Sequence, residues 1–358
     1  MGDLDATFVE AFSDEDYRRA TGLVRVLMPD GRLDPKAPVP ALEGAVLREA
    51  YRTMLRVRVL GDEARALAAA ERIAATPETS GLEAAVVGAA AALGADDVIA
   101  PGPRDTGAAL YRGLAVNAVV AQLLGTANDL ARGRQSPGCV TSPRALNVLP
   151  ASPHSATRLP HAAGVAWAMK MQRRSSVALA FLDAPETSAE DFHAGLNFAG
   201  VYRLPVVFLC INDRASAQPG ATPETVSETY AVKTLAYGLA ANRVDGDDLF
   251  AVEAAVREAA ERARSGGGAT FIEAVVERAD GLDRFRAFLA AQNILTADAE
   301  SRLRGEVEAE VRAAFVAEEI VGPPPLESLI EDVWARPTAA LEEQLAAAET
   351  FREEKTKG

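Results

Sequence analysis

The amino-acid sequence predicts an α/β protein built on a parallel β-sheet flanked by helices, with an N-terminal arm and C-terminal helices. Three observations carry that prediction. Two continuous apolar runs, residues 177–182 (VALAFL) and 205–211 (PVVFLCI), suit strands buried on both faces. Segments of helical spacing alternate with them, as in parallel β–α units. The 358 residues suffice for one large core or two smaller ones.

Taken in order, residues 1–40 alternate short polar stretches with Pro29, Pro35, Pro38 and Pro40, and read as an extended arm with a strand at 23–28. A long helix is predicted over 41–73, because Leu42, Val46, Met54, Leu55, Val59 and Leu60 recur at helical spacing without a proline. Ser80-Gly81 breaks the pattern, and 82–93 reads as an Ala-rich helix whose small side chains suit close packing. Thr187-Ser188-Ala189-Glu190 matches a capping box and opens a helix over 188–201. Helices over 224–239 and 247–264 and a strand over 270–276 follow, with Gly266-Gly267-Gly268 as a turn. Beyond Glu277 the pattern is helical: 283–293, then 296–320 capped by Thr296, then 326–352 after Pro323-Pro324-Pro325. The expected division is an arm over 1–40, an α/β domain over 41–282 and a helical region over 283–358. There is no internal repeat.

The formal net charge of −14 argues against a nucleic-acid partner, since phosphate neutralisation needs clustered Lys and Arg. The N-terminus carries acids where a secretory leader carries basic residues. No apolar run approaches the roughly 20 residues that span a bilayer. Cys139 and Cys210 cannot form a disulfide framework. The expectation is a cytoplasmic protein with reduced thiols and no membrane or nucleic-acid partner.

In an open parallel sheet, ligands bind beyond the carboxyl ends of the strands. Two strand ends carry acids here: Asp183, and Asn212-Asp213. With neighbouring strands about 4.8 Å apart, Asp183 and Asp213 can reach one cation. A helix opening near Ser188 would favour a phosphate there, and magnesium with a diphosphate suits the set. Asp and Asn after strands also serve as turn residues and caps, which is the plainer reading.

A wider pattern is more specific. Gly81-Leu82-Glu83-Ala84, Gly88, Asp96-Asp97-Val98 and Pro103-Arg104-Asp105-Thr106-Gly107 come first. Arg112-Gly113, Gly125, the stretch 132–137 (RGRQSP) and Leu159-Pro160-His161-Ala162-Ala163-Gly164 follow. Phe181-Leu182-Asp183-Ala184, then 191–199 (DFHAGLNFA), 204–208 (LPVVF), Tyr237-Gly238 and 244–248 (VDGDD) complete the series. In order and spacing these resemble the alpha subunit of thiamin-diphosphate-dependent 2-oxoacid dehydrogenases. The resemblance implies a thiamin-diphosphate-binding fold whose alpha subunit holds the diphosphate and magnesium. It implies a beta subunit that holds the aminopyrimidine, a heterotetramer, and a lipoyl-bearing acyltransferase downstream. By resemblance Arg104, Asp183, Ala184, Asn212, Asp213 and Arg214 face the cofactor. Asp183, Asp213 and the carbonyl of Ala215 face the metal, and the loop 152–157 faces a potassium ion.

The sequence also departs from that pattern. Leu182 and Ala184 replace the glycines beside the acid, where a side chain obstructs backbone approach to a diphosphate. Pro103 replaces a tyrosine, Asp213 an asparagine, Arg214 a glycine and Ala215 a tyrosine. Thr106 and Cys139 stand where the family has histidines. The family's long, histidine-bearing loop after the strand over 270–276 is reduced to residues 277–282 (ERADGL). Of the histidines left, His161 and His193 fall in helical matches, and His154 is the catalytic candidate. Two functions follow. One is an alpha-type subunit of a 2-oxoacid dehydrogenase, working with a beta-type subunit or by self-association. The other is a degenerate paralogue with a structural or regulatory role, because two or three lost charge-assisted hydrogen bonds, at about 1.5–3 kcal/mol each, weaken cofactor binding by orders of magnitude. A module for another anion, anchored by Arg104 and Arg214, is a third. No strand is followed by G-x-G-x-x-G, which disfavours an ordinary dinucleotide dehydrogenase.

Overall fold

The structure is a computed structural model and describes residues 13–37, 43–74, 76–216 and 225–357. In chain order its helices are α1 (Asp14–Thr21), α2 (Gly44–Ala69), α3 (Glu83–Ala91), α4 (Thr106–Tyr111), α5 (Val116–Leu124), α6 (Arg158–Met171) and α7 (Glu190–Val201). After these come α8 (Tyr230–Thr234), α9 (Leu249–Arg264), α10 (Gly281–Ala291), α11 (Ala297–Val321), α12 (Ser328–Glu331) and α13 (Ala339–Lys357). Among them run β1 (Val98–Ala100), β2 (Ala178–Asp183), β3 (Val206–Asp213), β4 (Ala240–Asp245) and β5 (Thr270–Val276). The strands form one sheet in the order β1-β2-β3-β5-β4, every pair parallel.

The apolar runs are continuous because both faces of the sheet are covered. Leu179, Phe181, Val207, Leu209, Ile211, Ile272 and Val276 pack into a core with α2, α3, α5, α9, α10 and α11. The alternate residues Ala178, Ala180, Leu182, Val206, Phe208, Cys210 and Phe271 pack into a second core with α6, α7 and α8. Helix α3 is buried nearly throughout, and a Cβ on Gly88 would lie 2.7 Å from the Leu249 carbonyl oxygen of α9. Small side chains are thus required by contact, as the composition suggested.

Several expected elements differ. The arm forms no strand over 23–28, only isolated bridges: Val24 N–H donates to the Arg243 carbonyl at 3.0 Å and Val24 accepts from Asp245 N–H at 2.9 Å. It thereby covers the open edge of β4, an edge that would otherwise present unpaired backbone groups. β1 and β4 were not foreseen. The first has three residues, and the second carries Asn242 and Arg243, which break the apolar pattern of an interior strand. The helix expected over 224–239 is the five-residue α8 and one 3-10 turn, with residue 224 outside the described residues. Residues 41 and 42 of the long helix also lie outside them. The helix expected over 326–352 is split into α12 and α13, with Pro337 in the break. Helix α7 opens at Glu190 with an uncapped Ala189, not at a Thr187–Glu190 capping box. Residues Ala184–Ser188 form a separate 3-10 turn.

Helix α7 meets the segment between α8 and β4 at a glycine with no spare room. A Cβ on Gly200 would fall 2.0 Å from the Tyr237 carbonyl oxygen. Gly200→Ala is expected to cost about 1–3 kcal/mol through forced backbone displacement, read as a lower urea midpoint at unchanged slope.

Candidate active site

Side chains alternate along a strand, so parity decides which strand-end groups share a face. Asp183 shares parity with Leu179 and Phe181, and Asp213 with Val207, Leu209 and Ile211. Both carboxylates therefore emerge on the α2–α3 side, from adjacent strands. Asn212 has the opposite parity. Its side-chain amide donates to Glu273 Oε1 at 2.8 Å on the other face.

Arg104, just before α4, joins the two acids. Its Nη1 lies 3.1 Å from Asp183 Oδ1, its Nη2 is bonded to Asp213 Oδ2, and its Nε donates to the Glu78 carbonyl at 3.1 Å. Burial lowers the guanidinium's proton affinity, but Asp183 and Asp213 outweigh it and raise the pKa above its usual value. Burial pushes Asp183 up despite Arg104. Asp213 is pulled down, because its pairs with Arg278 and Arg104 overcome burial. Arg278, in the short connector after β5, grips Asp213 with Nε at 3.2 Å and Nη2 at 2.8 Å. Its backbone is left-handed at φ 53°, and Gly81 leaves room for its stem, since a Cβ there would meet Arg278 Cγ at 2.9 Å. Asp247 Oδ2 holds the connector by accepting the amides of Glu277 at 3.0 Å and Ala279 at 3.2 Å.

A second charged group lies at the end of β2. Glu186 accepts the Asp183 amide at 2.7 Å on Oε2 and the Ala156 amide at 2.8 Å on Oε1. Arg158, the first residue of α6, reaches both Glu186 oxygens, one at 3.0 Å, while its Nε donates to the Phe181 carbonyl at 2.6 Å. Asp105 sits beside this group, accepting the Gly102 amide at 2.7 Å. A Cβ on Gly102 would lie 2.8 Å from Arg158 Nη2 and 3.0 Å from Asp105 Oδ2.

The remaining candidates are dispersed. Arg214 pairs with Glu277 at 2.9 Å, and both are exposed. Ala215 lies in the 3-10 turn Arg214–Ser216, where the Ser216 hydroxyl donates to the Asp213 carbonyl at 2.9 Å. Ala184 is buried, as is Leu182 in the α6–α7 core. Pro103 and Thr106 line a small, mostly apolar cavity of about 40 Å³. His154 and His161 line a surface cavity of about 970 Å³ whose wall includes Arg134 and Arg158. His193 Nδ1 lies 2.5 Å from the Tyr237 hydroxyl. Cys139 and Cys210 are buried thiols whose pKa burial raises.

Arg278, Glu186 and Arg158 were not foreseen. Arg278 follows a third parallel strand, so the strand-end rule that singled out Asp183 and Asp213 also points to it. Glu186 completes a capping box with Asp183, a spacing legible in the sequence, whereas Arg158 carried no signal, because its pairing with Glu186 joins distant segments.

As packed, these residues do not fit a magnesium–diphosphate group. Each acid a cation would use is engaged by a guanidinium. The two backbone amides that open onto the end of β2 are taken by Glu186.

Burial, followed by the nearby Asp183 charge, pushes Asp105 up to about 7. A carboxyl group with a raised folded-state pKa adds stability below its ordinary pKa and loses it as pH rises toward 7. Asp105→Asn keeps a side-chain oxygen for the Gly102 amide and cannot ionise. It is expected to gain about 1–3 kcal/mol over the parent at pH 8 and to match it near pH 4, measured by urea denaturation at both values.

Comparison with known proteins agrees with this architecture. The family model described as "Dehydrogenase E1 component" matches residues 51–281. The "2-oxoisovalerate dehydrogenase subunit alpha 1, mitochondrial" of Arabidopsis thaliana is 32% identical, covering 96% of this chain and 78% of its own. The "2-oxoisovalerate dehydrogenase subunit alpha" of Bacillus subtilis is 30% identical over 80% of this chain and 94% of its own. A Staphylococcus aureus "Pyruvate dehydrogenase E1 component subunit alpha" is 27% identical over 99% of both. With a parallel sheet, acids at adjacent strand ends and a family match across the α/β core, the chain belongs to the dehydrogenase E1 component family, as an alpha-type subunit.

Proposed function

We propose that this chain is the alpha-type subunit of the first component of a 2-oxoacid dehydrogenase, which oxidatively decarboxylates a 2-oxoacid and passes the acyl group to a lipoyl-bearing acyltransferase. The observation that supports this reading is the convergence of Asp183 and Asp213 on Arg104 at neighbouring strand ends, inside the family match. Thiamin diphosphate is the cofactor of this family, and a beta-type subunit completes the site in a heterotetramer. Once Arg104 and Arg278 release the acids, Asp183, Asp213 and the Ala215 carbonyl are the candidate oxygen donors for magnesium and Arg104, Ala184 and Arg214 the candidate cofactor contacts, whereas Asn212 turns to the opposite face. His154, in the wall of the larger cavity, is the candidate histidine near a substrate. The division into an arm over 1–40, a domain over 41–282 and a helical region over 283–358 goes with the proposal, as does a cytoplasmic location. No helix among the described residues is long and apolar enough to cross a membrane.

The test is to copurify the chain with a beta-type subunit and titrate the pair with thiamin diphosphate in magnesium. A heat of binding and 2-oxoacid decarboxylation support the reading, and the absence of both at millimolar cofactor sinks it.

A specific observation favours a second reading, a degenerate paralogue that keeps the fold and the assembly. Arg104 and Arg278 already neutralise the acids, and Glu186 already satisfies the amides of Asp183 and Ala156. Decarboxylation at ordinary rates by the pair would refute it.

A further inference from the structure

We infer that Glu186 is a built-in competitor for the phosphate-bearing ligand of this site, occupying an anion-binding position assembled from β2, the 152–157 loop and α6. The inference takes from the proposed function only the chemical class of the ligand. Four donors converge on one carboxylate. Ala156 N–H, at 2.8 Å, and Arg158 Nη1, at 3.0 Å, reach Oε1. Asp183 N–H, at 2.7 Å, and Arg158 Nη2 reach Oε2. Two backbone amides and a forked guanidinium are the donors that bind phosphate oxygens, and here they are filled from within.

Two further observations support the inference. Ala156 is left-handed at φ 57°, a conformation that costs a residue with a Cβ, and in it the amide reaches Glu186. Arg158 is nearly buried, with 5% of its side chain exposed, yet it forms part of the wall of the surface cavity of about 970 Å³. An anion in that cavity approaches the guanidinium that Glu186 now satisfies. Glu186 itself is 13% exposed, so its carboxylate is not sealed from solvent.

A tethered carboxylate acts at a high effective concentration, so a free ligand must displace it to bind. Shortening or neutralising Glu186 therefore releases the donors to an external anion. The chain alone is titrated with inorganic diphosphate by calorimetry, as parent, Glu186→Ala and Glu186→Gln. Both variants are expected to bind it about tenfold or more tightly than the parent. Their melting temperatures should rise with added diphosphate where the parent's does not. Glu186→Gln preserves the volume and covers the case in which Glu186→Ala, with Arg158 left unpaired, fails to fold. The inference is overturned if the folded variants bind diphosphate no better than the parent. Because the probe needs neither a beta-type subunit nor a 2-oxoacid, loss of the proposed activity leaves this outcome unaffected.

Discussion

Asp213→Ala is expected to destabilise the fold by about 3 kcal/mol, since it leaves two guanidiniums facing each other without the acid between them. Among the described residues, Asp213 is the carboxylate shared by Arg104 and Arg278, and its side chain is 3% exposed. The arginine side chains are 16% and 28% exposed, so water recovers part of the loss, and the figure stays at the low end for a broken buried pair. Asp213→Asn retains an acceptor and should lose about 1–2 kcal/mol. The pH dependence has a definite sign. The folded-state pKa of Asp213 is depressed, so its contribution is complete above the ordinary carboxylate value and fades as pH falls through the lower folded one. Urea denaturation at pH 7 and pH 3 should show the gap between parent and Asp213→Ala narrowing at pH 3. A constant gap would mean that packing, not charge, accounts for the loss.

Asp248→Ala should have a comparable or larger effect by another route. This fully buried carboxylate accepts four backbone amides. Val26 donates at 2.7 Å and Leu27 at 2.6 Å to Oδ2, while Phe250 donates at 3.0 Å and Ala251 at 3.2 Å to Oδ1. One side chain thus caps α9 and pins the arm. With each orphaned buried donor costing about 1–3 kcal/mol, and with partial relaxation of the arm, a loss of about 3–5 kcal/mol is expected. The effect should also be local: limited proteolysis should cut the variant within residues 22–34 before the parent is touched. Equal resistance of parent and variant there would contradict the pinning role.

The sheet interior was legible because burial on both faces leaves only apolar residues in β2, β3 and β5, whose spans were read to within a residue or two. The periphery was not. β4 borrows the arm as a neighbour, and its Asn242 and Arg243 answer to Arg19 and Glu273, respectively, rather than to a core. The same limit holds at the candidate site. Asp183 and Asp213 follow apolar runs and declare themselves, and Arg104 stands in a recognisable motif. That Asn212 turns to the opposite face also follows from strand parity, a signal present in the sequence. Arg158 opens α6, and Glu186 stands in a capping-box spacing after Asp183, so neither announces that the two meet. Glu83, in the motif Gly81-Leu82-Glu83-Ala84, proves architectural here: it accepts the Gly81 amide at 2.9 Å and pairs with Arg58 at 2.5 Å.

The arm's seat on β4 also bears on the order of events as the chain folds. Arg25 and Asp245, paired at 2.7 Å, are 220 residues apart in sequence. No two strands of the sheet form a hairpin, so every pairing requires a crossover to close first. Closing so long a loop before β4 exists would spend chain entropy with no contact in return. Residues 22–28 are therefore synthesised long before β4 and are expected to be among the last to reach their native neighbours, with the edge of β4 open until they arrive.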